Sequence, residues 1–483
     1  MARYQEVKVD ELSFKSGWKF ETFVADRSHR ESPRLQHRLE LRLPSLRTPL
    51  RISEARLHKS SLWICLAVLN FPVSLQAQDT KPQSPLLSTG VTGSIRATGL
   101  SNPQYVLSFM PVQRILLTAG EHPLSAEEIQ TALKETPISL PDLLRVDLLR
   151  KDGKAYRLNY SLLTVQDQET IYSRASQFGP SLAAAFQARK KEFDSILEQY
   201  PDASLRPQLL FGLAAGVSLN WRGLDLTTEL GYRIQPPRHP DGTIYYIHSA
   251  EVGAHTDLKG LYLDSEFAPA GKMMFATFGD GDSLPRLQGW PDVFDGLEHA
   301  TDAWQQEPAV FGALQSVYAS YAFLALSDAG DILGAVSQCF NCDATMVNKL
   351  SVSEDRRKAA LNLLIATGYV SDDDHCYSVR VPLLTSKDKP MVDATLALSR
   401  TIMSMWLKEN YALLKEQLSG LCLMRNGVPF SLAFSEVWHF TFGFATKELA
   451  ESGFYANPRA LGNRYQGYVP LVWTTTILTA PGG

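Results

Sequence analysis

The side chains with the clearest chemical potential in this chain are two groups of bases. Arg145, Arg150, Lys151, Lys154 and Arg157 surround one turn, and Arg356, Arg357 and Lys358 form a second run. Grouped guanidinium and ammonium groups suit phosphate contacts, because each neutralised phosphate releases condensed counterions. Acids temper both groups. Asp142 and Asp147 accompany Arg145, and Glu354 with Asp355 precedes the second run. The plainer reading of each group is a solvated face of mixed charge. Bases in the first turns of a helix also oppose its macrodipole. Either Glu354 and Asp355 pair with Arg356, Arg357 and Lys358, or an anionic partner does.

Metal and nucleophile chemistry finds less support. Cys339-Phe340-Asn341-Cys342 is a CxxC pair, and His375-Cys376 supplies the only nearby complement. A zinc site of this kind wants two spaced pairs. Adjacent residues on a strand point to opposite faces, so His375 and Cys376 do not easily ligate together. Cys339, Cys342 and Cys376 are thus weak zinc candidates, and no metal or other cofactor is expected. His248, Glu251, His255 and Asp257 are ligand types at close spacing, but they miss the helical HExxH pattern and read as surface polar residues. The chain contains no phosphate-binding P-loop, no GxGxxG and no GxSxG with triad partners. An uncharacterised enzyme is therefore the third of three functional readings.

The elements that must position the first basic group follow from patterning. Met110 to Ala119 predicts a helix. Ser125, with Glu128 three residues on, predicts a capping box that opens a second. Ser139 to Asp152 predicts a third helix, with Pro141 in its first turn and Leu143, Leu144 and Leu148 on one inward face. Lys151 to Lys154 then turns into an alternating strand, Ala155 to Leu163. Thr164 and Asp167 cap a longer helix that Gly179-Pro180 breaks and Ser181 restarts. Phe186, Phe193 and Leu197 share one side of it. Leu205 to Arg233 reads as further helix closed by Gly231, and Thr243 to His248 as a strand.

The stretch Leu148–Asp167 has a counterpart at Tyr369–Asp388. Tyr156 matches Tyr377, Thr164 matches Thr385 and Asp167 matches Asp388, all at an offset of 221 residues. Gly231-Tyr232 against Gly453-Phe454, and Tyr246-Ile247 against Tyr468-Val469, continue the match at 222. An internal duplication is expected. In the second copy, Ser353 begins a helix with Leu361, Leu364 and Ile365 inward and Gly368 at its end. Thr385 and Asp388 cap a long helix carrying a stripe of Leu398, Ile402, Met405 and Trp406. Phe430 to Ser452 is a further apolar helix.

Helices followed by a tight turn, a strand and a capped long helix resemble winged helix-turn-helix proteins of the broad MarR/ArsR type, over residues 110–170. The resemblance implies a third helix presented to a DNA major groove and a wing touching backbone. Carried onto this chain, Arg145 is the outward base on that helix, and Arg150, Lys151, Lys154 and Arg157 ring the wing. It also implies dimeric action, which a duplicated chain could achieve within itself as a pseudo-dimer. Asp142 and Asp147 depart from the pattern of a DNA reader.

The expected fold class is α+β, mainly α: two winged-helix units related by internal duplication, each followed by long helices and a terminal strand. Residues 110–255 hold the first unit, 256–317 a small β-containing middle segment, 318–475 the second unit and 476–483 a tail. Residues 1–109 read as a leader. Within it Leu62–Ala77 is an apolar run too short and interrupted for a span, which needs ~20 mostly apolar residues. A signal or anchor there is the alternative to a cytoplasmic protein, the location that five sparse cysteines suggest. Residues 110–483 hold 32 bases and 42 acids. That excess repels polyanions at long range, so DNA binding would need local basic patches. The expected partners are double-stranded DNA, for a transcriptional regulator, or proteins, for a winged-helix scaffold without DNA binding.

Overall fold

Small and β-branched residues make up Ser88–Ser94, and Leu87–Ser94 forms a strand, β1, well ahead of Met110. The structure is a computed structural model. It describes residues 85–95, 97–239, 242–270, 272–279, 330–337, 368–373, 376–461 and 468–478, with single positions between 347 and 365. All belong to one compact unit. The fold is mixed α+β and mainly helical, with several small sheets and long helices.

After β1 come α1 (Pro103–Leu107), α2 (Met110–Glu121) and α3 (Ala126–Leu133). Ser125 and Glu128 form the expected capping box at the start of α3. The third helix, α4 (Leu140–Arg145), ends two turns earlier than the pattern to Asp152 predicts. Asp147 takes a left-handed φ of 58°, and the N–H of Leu148 returns to the carbonyl of Leu143 at 3.0 Å. That closure satisfies the final carbonyls, and a short acidic side chain tolerates the conformation. Leu148 and Leu149 then enter the core from an extended chain. Strands β2 (Leu149–Asp152) and β3 (Ala155–Leu158) form a hairpin closed at Gly153, whose φ is 63°. Strand β4 (Ser161–Leu163) leads into α5 (Val165–Gln187), capped by Thr164 and Asp167 as expected.

Helix α5 runs unbroken through Gly179-Pro180, against expectation. Pro180 removes one main-chain donor, which disfavours helix locally. Phe178, Leu182, Ala183 and Phe186 nonetheless bury in one core, and tertiary packing of a face outweighs a local break. Gly179 sits where a second long helix crosses: a Cβ there would lie 2.3 Å from the Cβ of Phe444. The helix expected from Leu205 to Arg233 is instead divided, after the short α6 (Lys190–Leu197). It comprises α7 (Arg206–Leu210), a π-helical stretch at Phe211–Arg222 and α8 (Gly223–Glu229). Every residue of Phe211–Trp221 is buried, so this segment has no solvent face to keep a 3.6-residue period in register.

Strand β5 (Ile244–Glu251) pairs antiparallel with β1 and parallel with β4. The middle segment supplies β6 (Asp264–Ala270) and β7 (Met273–Gly279). Residues 330–336 and the described positions of 354–365 are helical, with Leu361 and Leu364 buried and Gly368 closing the end at a φ of 78°. A second hairpin follows, β8 (Val370–Asp373) and β9 (Cys376–Val379), then β10 (Leu383–Leu384) and α9 (Lys389–Gln417). The chain closes with α10 (Cys422–Arg425), α11 (Phe434–Glu451) and β11 (Tyr468–Thr474). Strand β11 runs parallel to β10 and antiparallel to β7, the arrangement β5 makes with β4 and β1. Leu162 faces Ser249 and Leu383 faces Val472, so the residues opposite these two leucines lie 223 apart, one more than the offset of the tyrosine match.

Three cores result. One joins Leu143, Leu148, Leu158 and Leu162 beneath the first hairpin, and another joins Phe275, Leu361, Leu364 and Val472 beneath the second. The third draws on both halves, from Phe186 and Phe211 to Trp406, Trp438 and Trp473. Of the expected α9 stripe, Ile402 and Trp406 are buried while Met405 is 56% exposed. Trp290, Phe294 and Trp304 lie outside the described residues.

Candidate functional site

The first basic group is largely spent within the fold. Arg145, on the one-and-a-half-turn α4, donates to the Asp142 carboxylate and to the carbonyl of Leu100. Asp142 is itself buried, and hydrogen bonds from Ser139, followed in effect by the Arg145 charge, hold its carboxyl below the usual carboxylate range. Arg157 pairs with Asp152 across the hairpin at 2.6 Å. Arg150 turns away from solvent. Its Nη2 donates to the Asn426 carbonyl at 2.5 Å, and the guanidinium lies against Gly427. Lys151 and Lys154 remain exposed at the hairpin tip. Of the second group, Arg357 is half-buried, and Arg356 and Lys358 lie outside the described residues.

Of the weak metal candidates, only Cys376 is described. Cys339 and Cys342 lie outside the described residues, and Cys376 is disulfide-bonded, so its sulfur offers no thiolate. Among the described residues no cluster of three or more His, Cys, Asp and Glu could hold a metal ion. The four ligand types near β5 disperse. Glu251 accepts from the N–H of Val165 at 2.9 Å, at the start of α5, while Asp257 accepts from the N–H of Lys259 and His255 is exposed. His248 is half-buried and turns its ring over Gly90.

That packing leads to a site the sequence pattern did not single out. On β5, Tyr245 and Ile247 join the core beneath the first hairpin, so Tyr246 and His248 face the other way. There the Tyr246 hydroxyl meets the Ser435 hydroxyl of α11 at 2.9 Å, and both residues are buried. Gly90 lies beside His248 in the sheet, and a Cβ on it would come within 2.1 Å of the imidazole Nε2. Only a glycine leaves room for that ring. One turn along α11, Glu436 and His439 are each 8% exposed. Arg233 comes from the segment after α8, where its guanidinium donates to the Leu224 carbonyl and the Thr228 hydroxyl. The neighbouring Ile234 N–H donates to the Ser431 carbonyl at 3.2 Å, tying this segment to the 3-10 turn Phe430–Leu432 that precedes α11.

No family model, curated protein or solved structure matches this chain.

The electrostatics of the cluster therefore have to be read from its own groups. Burial pushes the Glu436 carboxyl up to about 7, and the Arg233 charge offsets this only in part. Burial, with Arg233 adding to it, lowers His248 to about 4. Burial, Arg233 and then His248 lower His439 to about 3. One permanent cation thus sits among two imidazoles held neutral and a carboxyl poised near neutrality. The Glu436 Oε1 has no hydrogen-bond partner among the described residues. Such a set can store or release a proton. The available sequence signal was Glu436 and His439 standing inside the apolar run Phe430–Ser452. It identifies the elements but not the strand they meet.

Proposed function

We propose that this chain is an intramolecular pseudo-dimer of two winged-helix units that serves as a protein-interaction module. The recurring order supports the duplication: a hairpin, a short strand, a Thr-x-x-Asp capping box, a long helix and a parallel closing strand. The observation that favours protein over DNA is the fate of the bases. Arg145, Arg150 and Arg157 are engaged by Asp142, Asn426 and Asp152, and α4 presents no other base. A helix reading base edges needs free side chains there. The excess of acids over residues 110–483 points the same way.

Fluorescence anisotropy of a mixed-sequence duplex tests this at two salt concentrations. The expected outcome is no binding that weakens with salt; a steep salt dependence would overturn the reading. A transcriptional regulator that binds double-stranded DNA is the second reading, favoured by exposed Lys151 and Lys154 at the first hairpin tip. On that reading Lys151→Glu with Lys154→Glu abolishes duplex binding. Among the described residues no helix is long and apolar enough to cross a membrane.

A further inference from the structure

We propose that β1 is a docking edge on which a second copy of this chain adds its own β1 antiparallel, joining two three-stranded sheets into one continuous sheet. Strand β1 is an edge strand, paired only with β5 among the described residues. The N–H of Val252 donates to the carbonyl of Leu86, and the register runs on from there through Leu87 and Glu251. Main-chain groups alternate in direction along an antiparallel ladder. Ser88 and Gly90 therefore turn their N–H and C=O to β5, while Leu87, Thr89, Val91 and Gly93 turn theirs outward. The Gln113 side chain accepts from the N–H of Leu87 at 3.1 Å and closes the edge at its start. Beyond that point, the outward groups of Thr89, Val91 and Gly93 are hydrogen-bonded to no described residue.

The second sheet shows how such an edge is closed. There β7 stands to β11 as β1 stands to β5, and β6 covers the far edge of β7. Strand β6, now outermost, contains Asp264, Glu266 and Pro269, residue types that discourage further pairing. Leu87–Ser94 contains no charged residue and no proline, so nothing in its sequence repels a second copy of itself. The bare edge is also self-complementary. With a two-fold axis at Val91, the two Val91 residues exchange hydrogen bonds, and each Thr89 does the same with the opposite Gly93. That contact uses up both edges, so the assembly closes at two chains and does not propagate. A strand of eight residues is about 27 Å long, and one edge contact of that length is smaller than the ~800 Å² per partner of a standard interface. The dimer is accordingly weak, with a dissociation constant on the order of 10 µM.

Hydrogen exchange of the full chain at single-residue resolution, from about 1 to about 100 µM, tests this alongside sedimentation velocity. The amides of Thr89 and Val91 gain roughly fivefold protection over that range as dimer accumulates. Those of Ser88 and Gly90, already bonded to β5, do not change. Val91→Pro removes a central outward donor without touching the β5 ladder, and it sediments as a monomer throughout while exchange in α3 holds. Because the alternation is read on the wild type, it decides the matter even if that variant does not fold. The proposal is overturned if Thr89 and Val91 are equally protected at every concentration, as when another part of the same chain covers the edge. It is equally overturned if they exchange freely throughout, if the chain dimerises without protecting them, or if a folded Val91→Pro still dimerises.

Discussion

Gly179 concentrates at one residue what the fold demands of α5. An added Cβ would meet the Phe444 Cβ at 2.3 Å and the α11 backbone, at Thr441 O and Ala445 N, at 3.0 Å. Backbone cannot rotate aside as a flexible side chain can. Gly179→Ala is therefore expected to destabilise the protein by ~1–3 kcal/mol through overpacking. Gly420→Ala, with nothing within 4 Å, serves as the neutral control. Denaturant midpoints compare the two, and equal midpoints would show that α5 and α11 separate at no cost. The pair Gly179-Pro180 reads in sequence as a helix break, since both residues disfavour helix locally. Its actual role is close approach, which depends on a helix more than 250 residues downstream.

At the scale of elements, the two capping boxes share a motif but not a workload. Among the described residues Asp388 accepts only from the N–H and the hydroxyl of Thr385. Asp167 receives the Thr164 N–H and, with its other oxygen, the buried N–H of Cys422. Asp388→Ala should then cost about 1 kcal/mol, the ordinary loss of a cap. Asp167→Ala should cost about 2–4 kcal/mol, because it also strands a buried donor. Thermal midpoints of the two variants decide this; equal shifts would remove the Cys422 bond from the account. Both boxes were legible as Thr-x-x-Asp ahead of an apolar period. The third helix was overextended because Leu148 and Leu149 fit an apolar face equally well, and only the left-handed turn at Asp147 separates helix from strand.

For the whole molecule, the principal core is shared. The Trp406 indole N–H donates to the Ser181 hydroxyl and that of Trp438 to the Leu219 carbonyl, each across more than two hundred residues. Residues 110–255 expressed alone would expose Phe186, Phe211 and the π-helical stretch to water. They are expected to lack a cooperative thermal transition, whereas the full chain shows one for these elements; a sharp transition in the fragment would show that the first half folds independently. What the sequence determined by itself is local. Apolar periodicity, capping residues and turn glycines specify the mainly helical α+β class, the hairpins, the long helices and the recurrence of their order, because each signal acts within a few residues of chain. The tertiary structure alone decided which charges are spent and which polar groups are buried. Arg150 looks like a surface base until Asn426 is beside it, and Asp167 looks like an ordinary cap until the Cys422 N–H meets it. Charge pairing and desolvation are set by neighbours in space, and those neighbours come from the other half of the chain.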